Sequence, residues 1–358
     1  MNPELMEILS HFKVDSIPEE YGNGHINDTY IVKKAPGYIL QRINTNVFKN
    51  PKEVMENIVN VTEYLKKKII QSGGNPKRET LSVIKTTDGE NFYKTKNGNY
   101  YRMYDFIENT VSYDNAENPN QLYEAARAFG KFQRMLADFD AEKLHETIPK
   151  FHDTFSRFQN LRTAIEKDIK GRKNSVKEEI EFALKYEEDA KVILNALKDG
   201  SIPYRVTHND TKLNNVMLDS ETGEGVCVID LDTVMPGSLL YDFGDALRFG
   251  ASTAAEDETD LSKVHFDLEY FEAFTKGFLE EIGNTITQKE IELLPFSVKM
   301  LTYECGIRFL TDYLEGDTYF KIHRENHNLD RARTQFKLVK EIEEKTPMMQ
   351  EIVKKYIK

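Results

Sequence analysis

The alternation of apolar and polar positions divides the chain into a strand-rich beginning and a helix-rich remainder. Short runs rich in β-branched and aromatic residues predict strands at 29–32, 38–43, 81–85, 92–94 and 100–107. Asp88-Gly89 and Asn97-Gly98 separate the last three runs, and both pairs are typical of tight hairpin turns. The pattern therefore predicts an antiparallel sheet within residues 1–105.

Helical spacing appears first within this sheet region and then dominates the rest of the chain. Asn50-Pro51 offers a capping residue and a first-turn proline, and one apolar stripe follows: Val54, Ile58, Val61, Leu65 and Ile69. Further helices are predicted at 118–136, 154–169, 175–197, 268–282, 288–314 and from 329 to the end. The predicted fold class is α+β and bilobal, with an antiparallel-sheet N-lobe over 1–105 and a mainly helical C-lobe over 106–358.

Composition excludes several classes of function. The 358 residues carry a net charge of -12, which disfavours nucleic acid or an anionic membrane as a partner. No apolar run reaches the roughly 18 residues of a membrane span, and MNPELMEILSHF lacks the features of a signal peptide. We therefore expect a cytoplasmic protein. Cys227 and Cys305 form no metal-ligand spacing and are expected to be buried thiols.

The stretch from residue 206 to 232 carries the chemistry. His208-Asn209-Asp210 is followed five positions after the aspartate by Asn215, which reproduces the H-x-D-x-x-x-x-N spacing of a kinase catalytic loop. A carboxylate at 210 can accept the proton of an attacking hydroxyl group. Asn215 and Asp230 offer the oxygen ligands that Mg²⁺ prefers. The pattern predicts phosphoryl transfer from ATP, with Mg²⁺ as cofactor.

Two aspartates compete for the role of metal ligand. Asp242-Phe243-Gly244 spells the metal-binding motif of protein kinases, whereas Asp230 directly follows the apolar run Val226–Ile229. We assign the metal to Asp230, because it ends a predicted strand and lies 20 residues beyond Asp210, compared with 32 for Asp242. Asp242 is expected to hold backbone amides near the catalytic loop.

Nucleotide-binding candidates lie in the N-lobe. Arg42 occupies a strand where a kinase would place a phosphate-binding lysine, and a surface arginine is the alternative. Its acidic partner on the following helix is predicted to be Glu53 in preference to Glu56. Tyr104, Asp105, Phe106 and Ile107 are candidates for adenine contact at a hinge, with an apolar core strand as the alternative. The loop Gly22-Asn23-Gly24 suits either phosphate or a simple hairpin turn.

Missing motifs narrow the class of kinase. There is no G-x-x-x-x-G-K-[ST] and no A-P-E element, which argues against P-loop enzymes and protein kinases and favours a small-molecule acceptor. The segments GHINDTY, ILQRIN, HNDTKLNNV, IDLDTVMPG, YDFGDALR and IRFLTDYL resemble those of the aminoglycoside phosphotransferase and choline kinase superfamily. Within it the chain looks most similar to N-acetylhexosamine 1-kinases.

This resemblance implies a protein-kinase-like fold and transfer of the ATP γ-phosphoryl group to the anomeric hydroxyl of N-acetylglucosamine or N-acetylgalactosamine. Asp210 would be the base. Lys212, two residues beyond it, matches the lysine that protein kinases direct at the transferring phosphoryl group, and we expect it to stabilise charge here too. The residues implied to contact the sugar, besides Asp210, are His25, Asn27, Thr233, Arg308 and Tyr319. Arg308 has an alternative role as the i,i+4 partner of Glu304.

Two other functions remain open at the level of sequence. One is a kinase of another hydroxyl acceptor, such as a different sugar, an amino alcohol or an aminoglycoside. The other is a pseudokinase that only binds nucleotide, which is disfavoured because Asp210, Asn215 and Asp230 are all present. The expected partner is a small-molecule sugar, with the chain acting as a monomer or homodimer.

Overall fold

The computed structural model describes residues 3–22, 26–33 and 35–357. They form two compact units, each drawn from several parts of the chain. The first unit comprises Met1–Ser112, Met135–Pro149 and Asn215–Pro236, and the second comprises Tyr113–Arg134, Lys150–Asn214 and Gly237–Lys358. The predicted division into lobes at residue 105 stays a prediction.

The first unit contains a six-stranded antiparallel sheet. Its strands are β1 (Pro18–Glu20), β2 (Asp28–Val32), β3 (Tyr38–Ile43), β4 (Val83–Ile84), β5 (Tyr93–Lys94) and β6 (Tyr100–Asp105). Their order is β1-β2-β3-β6-β4, and β5 also pairs with β6. Every pairing is antiparallel, which confirms the prediction for this region.

One face of this sheet is closed by helix α1 (Pro3–Ser10). Val32, Leu40 and Met103 project from three neighbouring strands and form one buried core with Leu9 and Phe12. Residues directly opposite in an antiparallel pair share a face, and successive residues alternate between faces. The sheet therefore separates the side chains of Leu40 and Arg42 from that of Gln41.

Two further helices, α2 (Pro51–Gln71) and α3 (Pro76–Glu79), belong to the same unit. The predicted apolar stripe of α2 is buried along its whole length, as expected for an amphipathic helix. Asn50 does not cap α2 with its side chain as predicted; its backbone carbonyl accepts from Val54 N–H instead. A second antiparallel sheet joins β7 (Thr110–Val111), β9 (Val216–Asp219) and β10 (Gly225–Val228).

The second unit is mainly helical. Its helices are α4 (Pro119–Met135), α5 (Thr154–Lys167), α6 (Lys177–Leu184), α7 (Val192–Lys198), α8 (Leu239–Gly250), α9 (Leu268–Ile282), α10 (Gln288–Glu315) and α11 (His327–Tyr356). Strand β8 (Arg205–Thr207) precedes the catalytic motif, and β11 spans Met235–Gly237. The helix predicted over 175–197 is wrong as a single element, because turns and a short 3₁₀ helix, Asp189–Lys191, separate α6 from α7.

Aromatic side chains and one of the two cysteines, Cys305, are buried in the core of the second unit. Phe243 packs edge-on against Phe271, Phe274 and Phe278, with ring centroids 5.4–6.2 Å apart. Cys227 and Cys305 are buried and unoxidised, as predicted, and burial raises the pKa of Cys305 to about 12. Across the described residues, no helix combines the length and apolarity that crossing a membrane requires.

Candidate active site

The loop after β8 carries the catalytic motif. His208 is fully buried, and its ring lies edge-on to Phe129 with centroids 5.6 Å apart. Asn209 adopts a left-handed backbone conformation at φ 66°, which is uncommon for a residue other than glycine. A backbone of this kind persists only where surrounding contacts fix it. The loop therefore presents Asp210 on a rigid, well-anchored turn.

The anchor is the carboxylate of Asp242 on α8. One of its oxygens accepts Asn209 N–H at 2.8 Å, and the other accepts His208 N–H at 3.0 Å. Gln133 donates to the second oxygen at 2.6 Å and to the carbonyl of Val206 at 3.1 Å. The predicted structural role of Asp242 is confirmed, since its carboxylate binds the two backbone amides that precede Asp210.

Lys212 lies next to Asp210, with its ammonium nitrogen 3.1 Å from Asp210 Oδ1. The negative charge of Asp210 is the main reason that the pKa of Lys212 lies above its ordinary value, and Asp245 adds to it. Asp245 also accepts the N–H of Thr211 at 3.2 Å. Acidic groups thus fix both the backbone of this loop and its only lysine.

A buried histidine supports the loop from the other side. His152 lies 2.8 Å from Glu304 through Nδ1 and 3.1 Å from the Asn209 carbonyl through Nε2. Both ring nitrogens face acceptors, so the imidazolium form satisfies the geometry best. Although burial opposes the charge, Glu304 raises the pKa of His152 above its ordinary value. Sequence reasoning missed His152, which is far from the motif along the chain.

Arg308 and Tyr319, both predicted to contact the sugar, belong to one cluster in the second unit. The Arg308 guanidinium carbon lies 5.5 Å from the centre of the Phe320 ring, and the Tyr319 ring lies 4.8 Å from the same ring. Tyr319 is 72% exposed. Glu304, the alternative partner of Arg308, interacts with it through charge. The Glu304 oxygens instead accept hydrogen bonds from His152 and Thr154, at 2.8 and 2.7 Å.

Asp312 organises the loop that carries Tyr319. Its buried carboxylate accepts three successive backbone N–H groups, from Thr318, Tyr319 and Phe320, at 2.8–2.9 Å. Asn328 adds a fourth bond at 2.9 Å. A carboxylate that accepts several amide bonds fixes a loop strongly. The exposed Tyr319 side chain therefore projects from an ordered backbone.

The two predicted metal ligands lie together in the first unit. Val216 pairs with Val228 across the β9–β10 hairpin, and Ile229 N–H donates to the Asn215 carbonyl at 2.9 Å. This register brings Asn215 next to the residue that precedes Asp230. Asp230 itself is left-handed at φ 56° and exposed. Asn215, just before β9, and Asp230, just after β10, therefore lie at the same end of the hairpin.

A buried network holds the turn that follows Asp230. Arg102 of β6 forms an ion pair with Asp232, whose second carboxylate oxygen accepts Asn27 Nδ2 at 2.6 Å. Gln41 orients the guanidinium by accepting from its Nε and Nη2 at 3.0 and 2.9 Å. The turn Leu231–Thr233 is therefore fixed to β3 and β6 of the sheet. Sequence reasoning missed Arg102, Gln41 and Asp232.

Asn27 is engaged at both ends of its side-chain amide. Its Oδ1 accepts Asn44 N–H at 2.9 Å, while its Nδ2 binds Asp232. These bonds make Asn27 a link between a loop and the turn after Asp230, and its predicted contact with sugar stays a prediction. His25, its predicted companion, lies outside the described residues.

Arg42 has a different partner from the one predicted. Its Nε donates to Asp28 on β2 at 2.6 Å, so the expected pairing with Glu53 is corrected to Asp28. The physical reason is strand register, since Arg42 is opposite Asp28 and Tyr101 and shares their face. Helix α2 instead reaches the turn after Asp230 through Asn57, which donates to the Val234 carbonyl at 3.0 Å.

The four hinge candidates are a mixture of buried and half-buried residues. Tyr104 and Ile107 are buried, whereas Asp105 and Phe106 are half-buried. The N–H groups of Asp105 and Phe106 donate to the carbonyls of Ser82 and Gly37 at 3.0 and 2.9 Å. An adenine base bound by these residues would have to use other backbone groups. Burial, foremost, raises the pKa of the Asp105 carboxyl.

Family comparison decides the class of this site. Residues 18–276 match the sequence model described as "Phosphotransferase enzyme family". The chain belongs to the phosphotransferase enzyme family. The match includes the catalytic motif, both proposed metal ligands and Asp242.

Three solved structures share the fold over nearly the whole chain. An aminopropanol kinase associated with a microcompartment is 14% identical, covers 97% of this chain and 98% of its own, and has a TM-score of 0.60. An amicoumacin kinase solved with AMP-PNP and Ca²⁺ is 14% identical, covers 97% of this chain and 94% of its own, and has a TM-score of 0.60. An aminoglycoside phosphotransferase from Alicyclobacillus acidocaldarius is 11% identical, covers 98% of this chain and 96% of its own, and has a TM-score of 0.61. The predicted kinase-like α+β fold is confirmed.

Proposed function

We propose that this phosphotransferase transfers the γ-phosphoryl group of ATP to the anomeric hydroxyl of an N-acetylhexosamine, giving the sugar 1-phosphate. The observation that carries the proposal is the anchoring of Asp210. Its preceding amides are bound by Asp242, and its carboxylate pairs with Lys212. A rigid loop with a half-buried carboxylate suits a base that must meet a hydroxyl group in a fixed orientation.

In this mechanism the Asp210 carboxylate accepts the proton of the attacking anomeric hydroxyl. Lys212 neutralises Asp210 while the acceptor is absent and then donates to the oxygens of the transferring phosphoryl group. The 3.1 Å contact between the two side chains supports the proposed roles of Lys212, because it places the ammonium group beside the base. Positioning and charge neutralisation supply most of the catalysis in phosphoryl transfer.

Asn215 and Asp230 are proposed to hold Mg²⁺. Within the described residues, no group of three His, Cys, Asp or Glu side chains could form a complete metal cage. This fits Mg²⁺, which usually takes one or two protein oxygens and completes its shell with water and nucleotide phosphates. When bound, the ion would neutralise charge on those phosphates. The β9–β10 register supports the assignment because it aligns the two ligands.

The remaining nucleotide contacts stay proposals. Arg42 would act near the phosphates, and the segment Tyr104–Ile107 would contact the adenine. The Asp28 partner of Arg42 is exposed, as is Arg42 itself, so the ion pair can open at small cost.

For the acceptor we propose Thr233, Arg308 and Tyr319, with Asn27 and His25 contributing from their loop. Arg308 is a cation, which disfavours acceptors that are themselves cationic and favours a neutral sugar. The alternative function is a kinase for another hydroxyl acceptor. This alternative is supported by two structural neighbours, an aminopropanol kinase and an amicoumacin kinase.

An ADP-release assay with Mg·ATP tests the proposal. The acceptors would be N-acetylglucosamine, N-acetylgalactosamine, glucose, galactose, choline and kanamycin, and phosphorus NMR would identify any product. We expect turnover of the N-acetylhexosamines with phosphate on the anomeric oxygen. Turnover confined to choline or kanamycin would establish the alternative. The control is Asp210→Asn, which should lose several orders of magnitude in kcat while ATP affinity stays nearly unchanged.

A further inference from the structure

Asn57 lies on helix α2 and is almost fully buried, at 1% exposure. Its side-chain nitrogen donates to two backbone carbonyls, that of His145 at 2.8 Å and that of Val234 at 3.0 Å. Its side-chain oxygen accepts the N–H of His145 at 2.8 Å. One amide group therefore joins α2 to two other segments of the first unit, the segment that follows α4 and the end of the turn Leu231–Thr233.

These three hydrogen bonds match the amide group of asparagine. They use two donated hydrogens and one accepting oxygen within a single short side chain. An aspartate of the same shape would offer only acceptors, and a glutamine would carry its amide one methylene group too far. A leucine would remove all three bonds at a cost in stability. The residue type therefore indicates a side chain that fixes backbone in place.

The bond to Val234 reaches the segment that carries a proposed metal ligand. Asp230 is left-handed at φ 56°, and Leu231–Thr233 form a single 3₁₀ turn. The N–H of Val234 donates to the carbonyl of Leu231 at 3.2 Å, so Asn57 binds the residue that closes this turn. A left-handed residue other than glycine persists only where its surroundings fix it. Asn57 therefore helps to hold the turn that follows Asp230.

The turn is held from two sides. On the sheet side, the carboxylate of Asp232 forms its buried ion pair with Arg102. On the helix side, Asn57 binds the carbonyl of Val234, two residues further along the chain. The two anchors flank the same short turn and belong to the same unit as Asp230. Loss of the helix anchor should therefore loosen the turn even while the sheet anchor remains.

The segment that contains His145 strengthens the helix anchor. Asn57 binds both backbone groups of His145, and the N–H of Ile148 donates to the Sδ of Met235 at 3.3 Å. Met235 directly follows Val234. Helix α2, this segment and the end of the turn are therefore joined in pairs, and a displacement of any one of them would strain two sets of contacts.

We propose that Asn57 is a positioning residue for the metal site, because its bond to the Val234 carbonyl holds the turn in the arrangement in which Asp230 binds Mg²⁺. The inference rests on the proposed function, which assigns Mg²⁺ to Asn215 and Asp230. Groups that orient metal ligands without touching the metal commonly contribute about 10- to 100-fold in metal affinity. Helix α2 thus acts on the metal site through a hydrogen bond.

The test measures AMP-PNP binding by isothermal titration calorimetry, once with Mg²⁺ and once with EDTA. The ratio of the two affinities reports on the metal site and does not depend on turnover. In Asn57→Leu this ratio should fall about 10-fold, while the affinity in EDTA changes less than about 3-fold. Asn57→Asp should show a similar fall, because its carboxylate places an acceptor against the carbonyl of Val234.

Thr62→Val is the matched control. Thr62 is also on α2 and is equally buried, at 1% exposure, but its hydroxyl donates within the helix, to the carbonyl of Ile58 at 2.8 Å. This variant loses a buried hydrogen bond that is internal to α2, so its affinity ratio should match wild type. Equal falls in Thr62→Val and Asn57→Leu would mean that a general loosening of α2 is responsible, and would overturn the role of Asn57.

Asp230→Ala separates this inference from the proposed function. In this variant Mg²⁺ and EDTA should give nearly the same AMP-PNP affinity. If they do and Asn57→Leu keeps the wild-type ratio, the role of Asn57 is overturned while the metal assignment stands. A wild-type ratio in Asp230→Ala would overturn both.

Hydrogen exchange in wild type tests the same link should neither Asn57 variant fold. Coupling between two sites is reciprocal, so a metal ion that needs the turn in place should in return stabilise the bonds of Asn57. Adding Mg²⁺ to the AMP-PNP complex should therefore slow exchange of the His145 N–H several-fold. An unchanged exchange rate would contradict the proposal.

Discussion

Arg102 and Asp232 form an ion pair in which both side chains are almost fully buried, at 1% and 4% exposure. The pair joins the central sheet to the turn that begins with Asp230. Asn27 and Gln41 bind the two partners from the flanking strands and loop. Since Asp230 and Thr233 both lie on or beside this turn, the pair fixes a proposed metal ligand and a proposed sugar contact.

The ion pair is predicted to position the metal site as well as to stabilise the fold. Arg102→Met should destabilise the protein by about 3–5 kcal/mol, because it leaves a buried carboxylate without its partner. The double variant Arg102→Met/Asp232→Leu should recover most of that loss in urea unfolding, since an apolar pair avoids the desolvation cost. Its Mg²⁺ requirement for half-maximal activity should nevertheless rise about 10-fold, because the turn loses its hold.

The matched control is Arg205→Met/Glu290→Leu. Arg205 and Glu290 form another buried ion pair, with contacts of 2.7 and 2.8 Å, in the helical unit. This control should leave the Mg²⁺ requirement unchanged. A normal Mg²⁺ requirement in Arg102→Met/Asp232→Leu would reduce the Arg102 pair to a purely structural role.

Asp242 gives a second prediction. In Asp242→Asn one carboxylate oxygen becomes an NH₂ group, so either His208 N–H or Asn209 N–H loses its acceptor. We expect a loss of about 1–3 kcal/mol in unfolding free energy. Turnover should fall about 10- to 100-fold, because the loop before Asp210 loosens. The Mg²⁺ requirement should stay unchanged, which steady-state kinetics at varied Mg²⁺ would measure.

Asp219 provides the control for this variant. Its carboxylate also accepts two successive backbone N–H groups, from Glu221 and Thr222 at 3.0 and 2.9 Å, in an exposed turn of the first unit. Asp219→Asn should cost some stability but leave turnover unchanged. A strongly raised Mg²⁺ requirement in Asp242→Asn would revive Asp242 as the metal ligand in place of Asp230.

Much of the fold could be predicted because its signals are local. The helix predicted over 268–282 matches α9, and the strand predicted over 38–43 matches β3. The break between α6 and α7 could not be predicted, because part of its cause is tertiary. The Tyr303 hydroxyl donates to the carbonyl of Ala183 at 2.8 Å, in the last turn of α6. A backbone carbonyl at a helix end that accepts a hydrogen bond from a distant helix cannot be recognised from the local sequence pattern.

The proposed site residues could be read from the sequence where the motif is contiguous, whereas the contacts that support them depend on strand register and could not. Asp210, Asn215 and Asp230 lie within one stretch, whereas Gln41 and Arg102 meet only because β3 pairs with β6 in that register. The same register places Arg42 on the opposite face from its neighbour Gln41. The alternation of side chains along a strand predicts that Gln41 and Arg42 lie on opposite faces. Which of the two faces holds the site depends on strand pairing, which the sequence alone does not show.

Gly244 yields a third prediction, which concerns packing. A Cβ at this position of α8 would lie 2.5 Å from the carbonyl oxygen of Ser297 and 2.9 Å from its carbonyl carbon on α10. Backbone atoms cannot move aside, so Gly244→Ala should destabilise the protein by about 1–3 kcal/mol in urea unfolding. This close approach accounts for the glycine of the Asp242-Phe243-Gly244 motif without any metal.

Gly250→Ala on the same helix is the comparison. Its Cβ would lie 2.8 Å from Leu122 Cδ1, which is the end of a flexible side chain. The cost of moving that side chain is partly offset by the gain of about 1 kcal/mol in helix propensity. Gly250→Ala should therefore lose clearly less stability than Gly244→Ala, and equal losses would contradict the packing argument.

The pair of His152 and Glu304 predicts how stability depends on pH. Glu304 has a pKa held below its ordinary 4.5: burial would raise it, but the charge of His152 prevails. Its contribution is complete above pH 4.5 and is lost as the pH falls through that lowered pKa. The raised pKa of His152 makes its contribution complete below 6.5 and lost as the pH rises through the folded value.

Wild type should therefore lose unfolding free energy between pH 6 and the alkaline side of the His152 pKa. Neutral His152 can donate from only one ring nitrogen, so either Glu304 or the Asn209 carbonyl loses its bond. Asp245 and the Tyr241 ring also face His152, and Asp245 favours its charged form. Urea unfolding from pH 6 to 9 should show a smaller alkaline loss in His152→Gln, because glutamine does not titrate. A loss equal to that of wild type would mean that another group governs the alkaline side.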